Sequence, residues 1–172
     1  KEIGNKSFYE CKLHTIQITS EIRSIGIEAF SKCKFLEKVE VLSPELSIGD
    51  AAFSDCISLE TVEWPLSDFS LTLGNKVFSN CELETMTIPS SVKFIGDECF
   101  SNCAYLEKIV IPEKLKSIGD NAFFNCSSLE NIQIPKKLKS VGKSAFSQCT
   151  SLSDFSLPGG VTAIGEGAFS SC

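Results

Sequence analysis

Apolar residues recur along this chain in a unit of about two dozen positions, and each unit contains a run that alternates apolar and polar residues. Leu129, Ile132 and Ile134 show the pattern L-x-x-I-x-I, whose last residues have period two. Such alternation predicts a short β-strand with one buried and one exposed face. Pro135 follows, and a proline ends a strand because it cannot donate to the ladder. We therefore expect one short strand in each unit.

A glycine, a phenylalanine four residues later and a cysteine three residues after that complete the unit. The glycines are Gly4, Gly26, Gly49, Gly74, Gly96, Gly119, Gly142 and Gly165. Eight copies at intervals of 22 to 25 residues indicate a solenoid. We expect the glycine to turn the backbone sharply with positive φ. The D-x-A-F segment after it, opened by an acidic residue such as Asp120, predicts a single helical or 3₁₀ turn.

Residues 1–172 are predicted to form a single array of about eight coils of 22–25 residues. Equal positions of neighbouring coils then lie about 4.8 Å apart, as in a parallel sheet. We expect that sheet on the concave face and the short helical or 3₁₀ turns opposite it, which is a mostly β architecture of the α/β repeat class. No capping repeat is recognisable, so we expect an uncapped fragment of a longer chain, with frayed ends or end-to-end contacts.

The stretch SIGDNAFFNCSSLENIQIP, residues 117–135, resembles the signature of the BspA-like leucine-rich repeat family, also called the Treponema pallidum type. Eight copies match in register over essentially the whole chain. The resemblance implies a leucine-rich-repeat solenoid from a surface-displayed or secreted protein of bacteria or protists. It also implies adhesion to host cells or matrix proteins, without catalysis. Two departures stand out: the approach to Gly74 carries two extra residues, and Cys11 and Cys81 each lie one residue closer to their leucine.

The cysteines offer three interpretations. Eight of the nine share one repeat position, so they form a column beside the phenylalanines and leucines, where a free cysteine packs as a small apolar side chain. Disulfides between neighbouring coils and a metal site are the alternatives. Parallel Cβ vectors hinder the disulfide dihedral, and the single histidine, His14, offers no second ligand type. Packing is favoured, and no metal or cofactor is expected. Cys99 replaces the alanine of other repeats and is expected to fill the same space.

Charge and motifs narrow the function classes. A net charge of −6 and a pI near 4.9 argue against generic nucleic-acid binding. No run of eighteen apolar residues is present, so no membrane span is expected, and no signal peptide opens this piece. No P-loop, H-E-x-x-H or G-x-S-x-G motif occurs, so catalysis is not expected. A column of glutamates at the strand entries is either solvated or a weak calcium-binding edge; it comprises Glu37, Glu60, Glu84, Glu107 and Glu130.

The outward strand positions are the candidate partner-binding residues. They form two columns that vary in residue type, unlike the core columns, and a solenoid commonly binds through its strand face. The candidates are Lys38, Glu40, Thr61, Glu63, Thr85, Thr87, Lys108, Val110, Asn131, Gln133, Asp154 and Ser156, with Thr15 and Gln17 ahead of them. Mixed polar residues suit protein or glycan contacts, and a merely solvated surface is the alternative.

Two further patches are candidates. The inserted loop places Leu66 and Phe69 in a turn, where insertions often bind, whereas Trp64 holds an inward strand position and is expected to pack. Lysines also gather in two adjacent repeats, at Lys114, Lys116, Lys136, Lys137, Lys139 and Lys143, with Lys93 near the same column. A sulfated glycan is the functional alternative there to a surface that is only solvated.

Localisation follows from the family resemblance alone, which implies the extracellular space or the cell surface. The two N-x-S sequons, at Asn5 and Asn125, are weak support because such short motifs arise by chance. The expected function is therefore a non-catalytic surface or secreted protein that binds a host or matrix protein. An intracellular interaction scaffold and a structural spacer attached to another domain are the alternatives.

Overall fold

The chain folds as a parallel β-solenoid, which confirms the predicted architecture. A computed structural model describes residues 1–66 and 69–172. Every pair of adjacent strands within a sheet is parallel and joins neighbouring coils. The described residues form strands, turns and bends, and none of them lies in a helix.

The predicted strand of each coil forms one side of the solenoid, here called the strand face. Its strands are β2 (Thr15–Ile18), β4 (Lys38–Val41), β6 (Thr61–Glu63), β8 (Thr85–Thr87) and β10 (Lys108–Val110). In register, β2 pairs with β4 and β4 with β6, while β8 pairs with β10. Isolated bridges extend the last ladder from Lys108 to Asn131 and on to Asp154. Each strand ends at or just before the proline position, as its sequence predicts.

A second parallel sheet, here called the second sheet, is built from the short extended piece before each glycine. Its strands are β1 (Glu2–Ile3), β3 (Ser24–Ile25), β5 (Glu45–Ile48), β7 (Ser70–Leu73), β9 (Phe94–Ile95), β11 (Ser117–Ile118), β12 (Ser140–Val141) and β13 (Ala163–Ile164). They pair in the orders β1-β3-β5-β7 and β9-β11-β12-β13. Among the described residues both the strand face and the second sheet are interrupted at the coil that carries the inserted loop.

The segment from each glycine to its cysteine forms a third side, the turn face, and it corrects the prediction of a helical or 3₁₀ turn. In residues 26–33 the N–H groups of Glu28, Phe30 and Lys32 donate to Asp50, Ala52 and Ser54 of the next coil, at 2.9, 2.8 and 2.8 Å. Glu28 and Lys32 have φ of 53° and 60°. These left-handed residues alternate with right-handed turns, so N–H groups point at the neighbouring coil instead of along a helix.

The glycines also differ from expectation. None of the eight repeat glycines has positive φ; the one glycine that does is Gly167. A Cβ built on Gly119 would lie 2.7 Å from the backbone N of Asp97 and 2.8 Å from the carbonyl carbon of Gly96. The glycine is therefore required because the neighbouring coil approaches too closely for a side chain, while the left-handed turns occur two and six residues later.

The interior is filled by columns of equal residues. Phenylalanine rings stack from Phe8 to Phe169, with neighbouring centroids 4.9 to 5.8 Å apart. Leu106 and Ala122 represent flanking columns that are fully buried. Offset stacking of buried rings adds to the free energy of burial. These columns account for the repeated letters of the sequence by packing alone.

Candidate binding surfaces

The predicted strand-face candidates all point away from the core. Their side chains are exposed, except for Lys38 and Glu40, which are half-buried. The register places Lys38 beside Thr61 and Glu40 beside Glu63, so the two predicted columns form continuous rows across neighbouring strands. The strand face is therefore an open surface whose chemistry changes from coil to coil.

Polar contacts link several of these side chains. Lys38 Nζ lies 2.7 Å from Glu63 Oε1, and this hydrogen bond raises the pKa of Lys38. Gln17 Nε2 donates to Glu40 Oε2 at 2.9 Å. His14 Nδ1 lies 3.1 Å from Glu37 Oε1, at the first position of the glutamate column. The partners of Lys38, Gln17 and His14 are all carboxylates, so even the paired part of this face is acidic.

The glutamate column lies along the edge where the chain enters the strands. Backbone hydrogen bonds stack its members: Glu60 N–H donates to Glu37 O at 3.1 Å, and Glu107 N–H donates to Glu84 O at 2.9 Å. All five side chains are exposed, and within the described residues Glu60, Glu84, Glu107 and Glu130 have no ion-pair partner. No group of metal-ligating side chains is found in the part of the chain that the structure describes.

One depression on the strand face, of about 790 Å³, combines this acidity with apolar groups. Glu40, Glu60 and Glu63 line it together with Trp64 and Leu66. Leu42 and three predicted candidates, Thr61, Thr85 and Thr87, also line it. The apolar side of the depression is formed by the inserted loop.

The inserted loop divides into a buried and an exposed part. Phe69 is buried and stacks on Trp64, with the ring centroids 5.8 Å apart. Leu66 is fully exposed. Trp64 packs against the core, as its inward position predicts. Of the two loop candidates, only Leu66 is therefore available to a partner, because Phe69 completes the packing beneath Trp64.

A second depression on the strand face, of about 820 Å³, lies two coils further along. Asn131, Gln133, Asp154 and Ser156 line it, beside Lys136. Its amides, hydroxyl and mixed charges contrast with the acidic and apolar first depression. The structure thus brings five of the predicted strand-face residues together in the first depression and four in the second, and the two depressions differ in chemistry.

A third depression, of about 670 Å³, lies away from the strand face. Cys11, Lys32, Phe35, Asp55 and Ile57 contribute to it. Phe35 and Ile57 are about half exposed there. These two residues were not predicted from the sequence. Both are apolar at positions where several other repeats carry serine or threonine, and this departure from the repeat could have identified them.

The lysines beyond the strand prolines form a group on and beside the second sheet, here called the lysine patch. It consists of Lys93, Lys114, Lys116, Lys136, Lys137 and Lys139, all exposed. Lys143, which the sequence grouped with them, lies on the turn face instead, where its Nζ is 3.4 Å from Glu166 Oε2. The patch therefore does not include Lys143.

The cysteine column is buried, as predicted, except at its ends, where Cys11 is half-buried and Cys172 exposed, and it has an additional role in hydrogen bonding. Cys103 Sγ donates to the carbonyl of Phe78 at 3.1 Å, and Cys126 Sγ donates to that of Phe100 at 3.1 Å. Burial raises the pKa of Cys103 to about 12. The thiols are free, and the raised pKa keeps the Cys103 thiol protonated at neutral pH, so that it can donate its hydrogen bond. Cys99 is likewise buried.

Comparisons with known proteins agree with this architecture. The sequence model of the BspA type leucine rich repeat region matches residues 1–72 and 71–172. A leucine rich cell surface protein of Faecalibacterium prausnitzii A2-165 is 32% identical, with a TM-score of 0.80 over 95% of this chain and 42% of that protein. The T. pallidum leucine rich repeat protein is also 32% identical, with a TM-score of 0.79 over 89% of this chain and 72% of that one.

A leucine-rich repeat protein of Bacteroides ovatus is 31% identical, with a TM-score of 0.73 over 98% of this chain and 49% of that protein. The chain thus spans less than half the length of two of these relatives. No curated protein matches the sequence. The described residues contain no helix that could cross a membrane.

Proposed function

The chain belongs to the BspA-type leucine-rich repeat family, and we propose that it is a non-catalytic adhesion segment of a cell-surface or secreted protein. In this proposal the strand face binds a protein of the host surface or extracellular matrix. The observation that carries it is the placement of two depressions of about 790 and 820 Å³ on that face. A similar protein is described as a cell surface protein, which supports the location.

The chemistry of the first depression supports a partner segment that is basic and apolar. Glu40 and Glu60 present negative charge beside the apolar group formed by Trp64 and the exposed Leu66, while Glu63 is paired with Lys38. A protein segment with an apolar side chain between lysines or arginines is complementary to this arrangement. Aromatic and aliphatic anchors supply most of the binding energy in such contacts, and the charges favour the correct encounter.

On the turn face, by contrast, four glutamates are already paired with lysines of neighbouring coils. Lys6, Lys32 and Lys76 lie 3.3, 3.9 and 3.2 Å from glutamates of neighbouring coils. Surface ion pairs of this kind contribute little stability, but each lysine offsets the charge that its glutamate would present to a partner. On the strand face Glu63 is paired with Lys38, but Glu60, Glu84, Glu107 and Glu130 have no ion-pair partner among the described residues.

Adhesion to matrix deposited by epithelial monolayers tests the proposal. The chain is expected to bind this matrix, and the variant Glu40→Lys/Glu60→Lys/Leu66→Ser is expected to lose about tenfold or more in affinity. The matched control is Phe35→Ser/Glu82→Lys/Glu166→Lys, which makes the same changes in charge and apolar surface off the strand face. Thermal unfolding of all three proteins verifies folding. Equal binding by both variants, or no binding by the parent chain, would refute the proposal.

A further inference from the structure

The second sheet carries a row of positive charge that the strand face does not share. Lys93, Lys116 and Lys139 stand immediately before β9, β11 and β12. The N–H of Lys116 donates to the carbonyl of Lys93 at 2.7 Å, and that of Lys139 donates to the carbonyl of Lys116 at 2.8 Å. Their backbones are therefore about one strand spacing, or ~4.8 Å, apart. Three ammonium groups follow one another along the solenoid axis.

The other three lysines of the lysine patch lie close to this row in sequence. Lys114 and Lys137 occupy equivalent positions two residues before Lys116 and Lys139, and Lys136 lies next to Lys137. Glu113 precedes Lys114 and is the carboxylate nearest in sequence to the patch. Six lysines within two coils and one residue of a third give this surface a strong positive charge on a chain whose net charge is −6.

These lysines lack the neutralising partners that six of the nine lysines elsewhere have. Lys6, Lys32, Lys38, Lys76 and Lys143 each lie within 4 Å of a glutamate oxygen. In the part of the chain that the structure describes, no carboxylate pairs with the lysine patch. Lys139 Nζ instead lies 3.5 Å from the carbonyl oxygen of Gly160. Stacked like charges repel, and an anionic ligand would relieve that repulsion.

The strand residues beside this row can also form hydrogen bonds and apolar contacts with a ligand. The outward residues of β9, β11 and β12 are Phe94, Ser117 and Ser140. Phe94 is 57% exposed, and the two serines are half-buried. The serine hydroxyls can donate and accept hydrogen bonds, and the phenyl ring offers an apolar face to the C–H groups of a sugar.

We propose that the lysine patch binds a linear sulfated polysaccharide lying along the solenoid axis, with sulfate groups against Lys93, Lys116 and Lys139. The shape of the positive surface favours such a ligand, because the charge follows a line. A DNA duplex or a bilayer would spread beyond that line over the exposed Asp97 and Asp120 of the adjoining turns. A single nucleic-acid strand is bound mainly through a series of stacking aromatics, and the outward residues of these strands include just Phe94.

Calorimetric titration with a heparin-derived decasaccharide tests the proposal. The chain is expected to bind the decasaccharide at low salt, with an affinity that falls steeply as salt is added because counterions are released. Chemically desulfated heparin of the same length is expected not to bind. The absence of heparin binding, or equal binding of both polysaccharides, would overturn the proposal.

A matched pair of variants assigns any binding to this surface. Lys116→Gln/Lys137→Gln/Lys139→Gln is expected to weaken binding about tenfold or more and to reduce the slope of log K against log salt by roughly two to three units. The control Lys12→Gln/Lys34→Gln/Lys76→Gln removes the same charge elsewhere and is expected to change affinity less than about twofold. Equal losses in the two variants would contradict the assignment.

Two other probes identify a different ligand class. Binding of a twenty-nucleotide oligo-dT more tightly than the decasaccharide would replace the polysaccharide with a nucleic acid. Binding of vesicles containing phosphatidylserine, with no binding of heparin, would replace it with a membrane surface. The strand-face variant Glu40→Lys/Glu60→Lys/Leu66→Ser serves as an independent check, because it should retain the decasaccharide affinity even if matrix adhesion is lost.

Discussion

The thiol of Cys126 donates a hydrogen bond to the backbone carbonyl of Phe100 in the preceding coil, with 3.1 Å between sulfur and oxygen. Cys56 makes the same bond to Phe30 at 3.2 Å, and Cys149 makes it to Phe123 at 3.1 Å. Each of these carbonyls also accepts a backbone N–H, as Phe100 O does from Cys103 at 3.2 Å, so the thiol is its second donor. The cysteine therefore combines apolar packing with a donor small enough for the space between phenylalanine and leucine.

The state of these thiols predicts how the chain responds to alkali. Burial raises the pKa of Cys56, Cys99, Cys103 and Cys149 to about 12, whereas an unfolded thiol ionises near pH 8.5. Between about pH 9 and 12 the unfolded chain loses protons that the folded chain keeps. The free energy of unfolding should therefore fall as pH rises, by up to ~1.4 kcal/mol per pH unit for each such thiol.

Urea unfolding at several pH values measures this slope. Cys103→Ala should give a shallower decline above pH 9 than the parent chain, because one proton-retaining group is removed. The control Cys172→Ala changes an exposed terminal thiol and should alter the slope less. Lysine and tyrosine ionisation is common to all three proteins and cancels in the comparison. An unchanged slope for Cys103→Ala would show that its thiol ionises as readily in the folded state as in the unfolded one.

The close approach of neighbouring coils predicts that an alanine substitution destabilises the chain at one glycine and has almost no effect at another. Gly119→Ala should destabilise the chain by about 2 kcal/mol or more, because the new Cβ would lie 2.7 Å from the backbone N of Asp97. Gly159→Ala should change stability by about 0.5 kcal/mol at most, since nothing lies within 4 Å of a Cβ there. Thermal unfolding distinguishes the two, and equal effects would contradict the steric role of the repeat glycine.

The left-handed turn positions predict a further contrast, between two alanines. Ala51 has φ of 54° and its N–H donates to Asn75 O, so Ala51→Gly should leave stability unchanged or raise it by up to ~1 kcal/mol. Gly167 already occupies the equivalent position of the last coil. Ala163→Gly, in β13, should instead lose several tenths of a kcal/mol. Chemical unfolding measures the change in the free energy of unfolding for both variants. A larger loss of stability for Ala51→Gly than for Ala163→Gly would contradict the left-handed role of Ala51.

Much of this fold could be predicted because a solenoid repeats one local solution. The alternation around Ile132 and Ile134 indicated the strand, and the fixed positions of Phe123 and Cys126 indicated inward columns. Each of these inferences depends on a pattern within one coil. The strand-face candidates followed from the same alternation, since residues between buried positions must point outward.

The features that sequence reasoning missed depend on contacts between coils. The role of Gly119 comes from the backbone of the coil before it, which a single repeat does not reveal. The left-handed positions carry residues as different as Lys32 and Ala51 beside several asparagines, which favour this region, because an inter-coil hydrogen bond also holds them there. The two-residue strands of the second sheet are too short to show alternation. The burial of Phe69 depends on the space that Trp64 leaves beneath its ring.

Lysine footprinting tests whether partners bind the strand face. Acetylation with an N-hydroxysuccinimide ester, read by mass spectrometry, is compared for the free chain and the chain bound to epithelial matrix. If the partner binds the strand face, Lys38 and Lys108 become protected from acetylation, while Lys6, Lys32 and Lys76 of the turn face are labelled equally in both states. Protection of the turn-face lysines with unchanged labelling of Lys38 and Lys108 would contradict binding at the strand face.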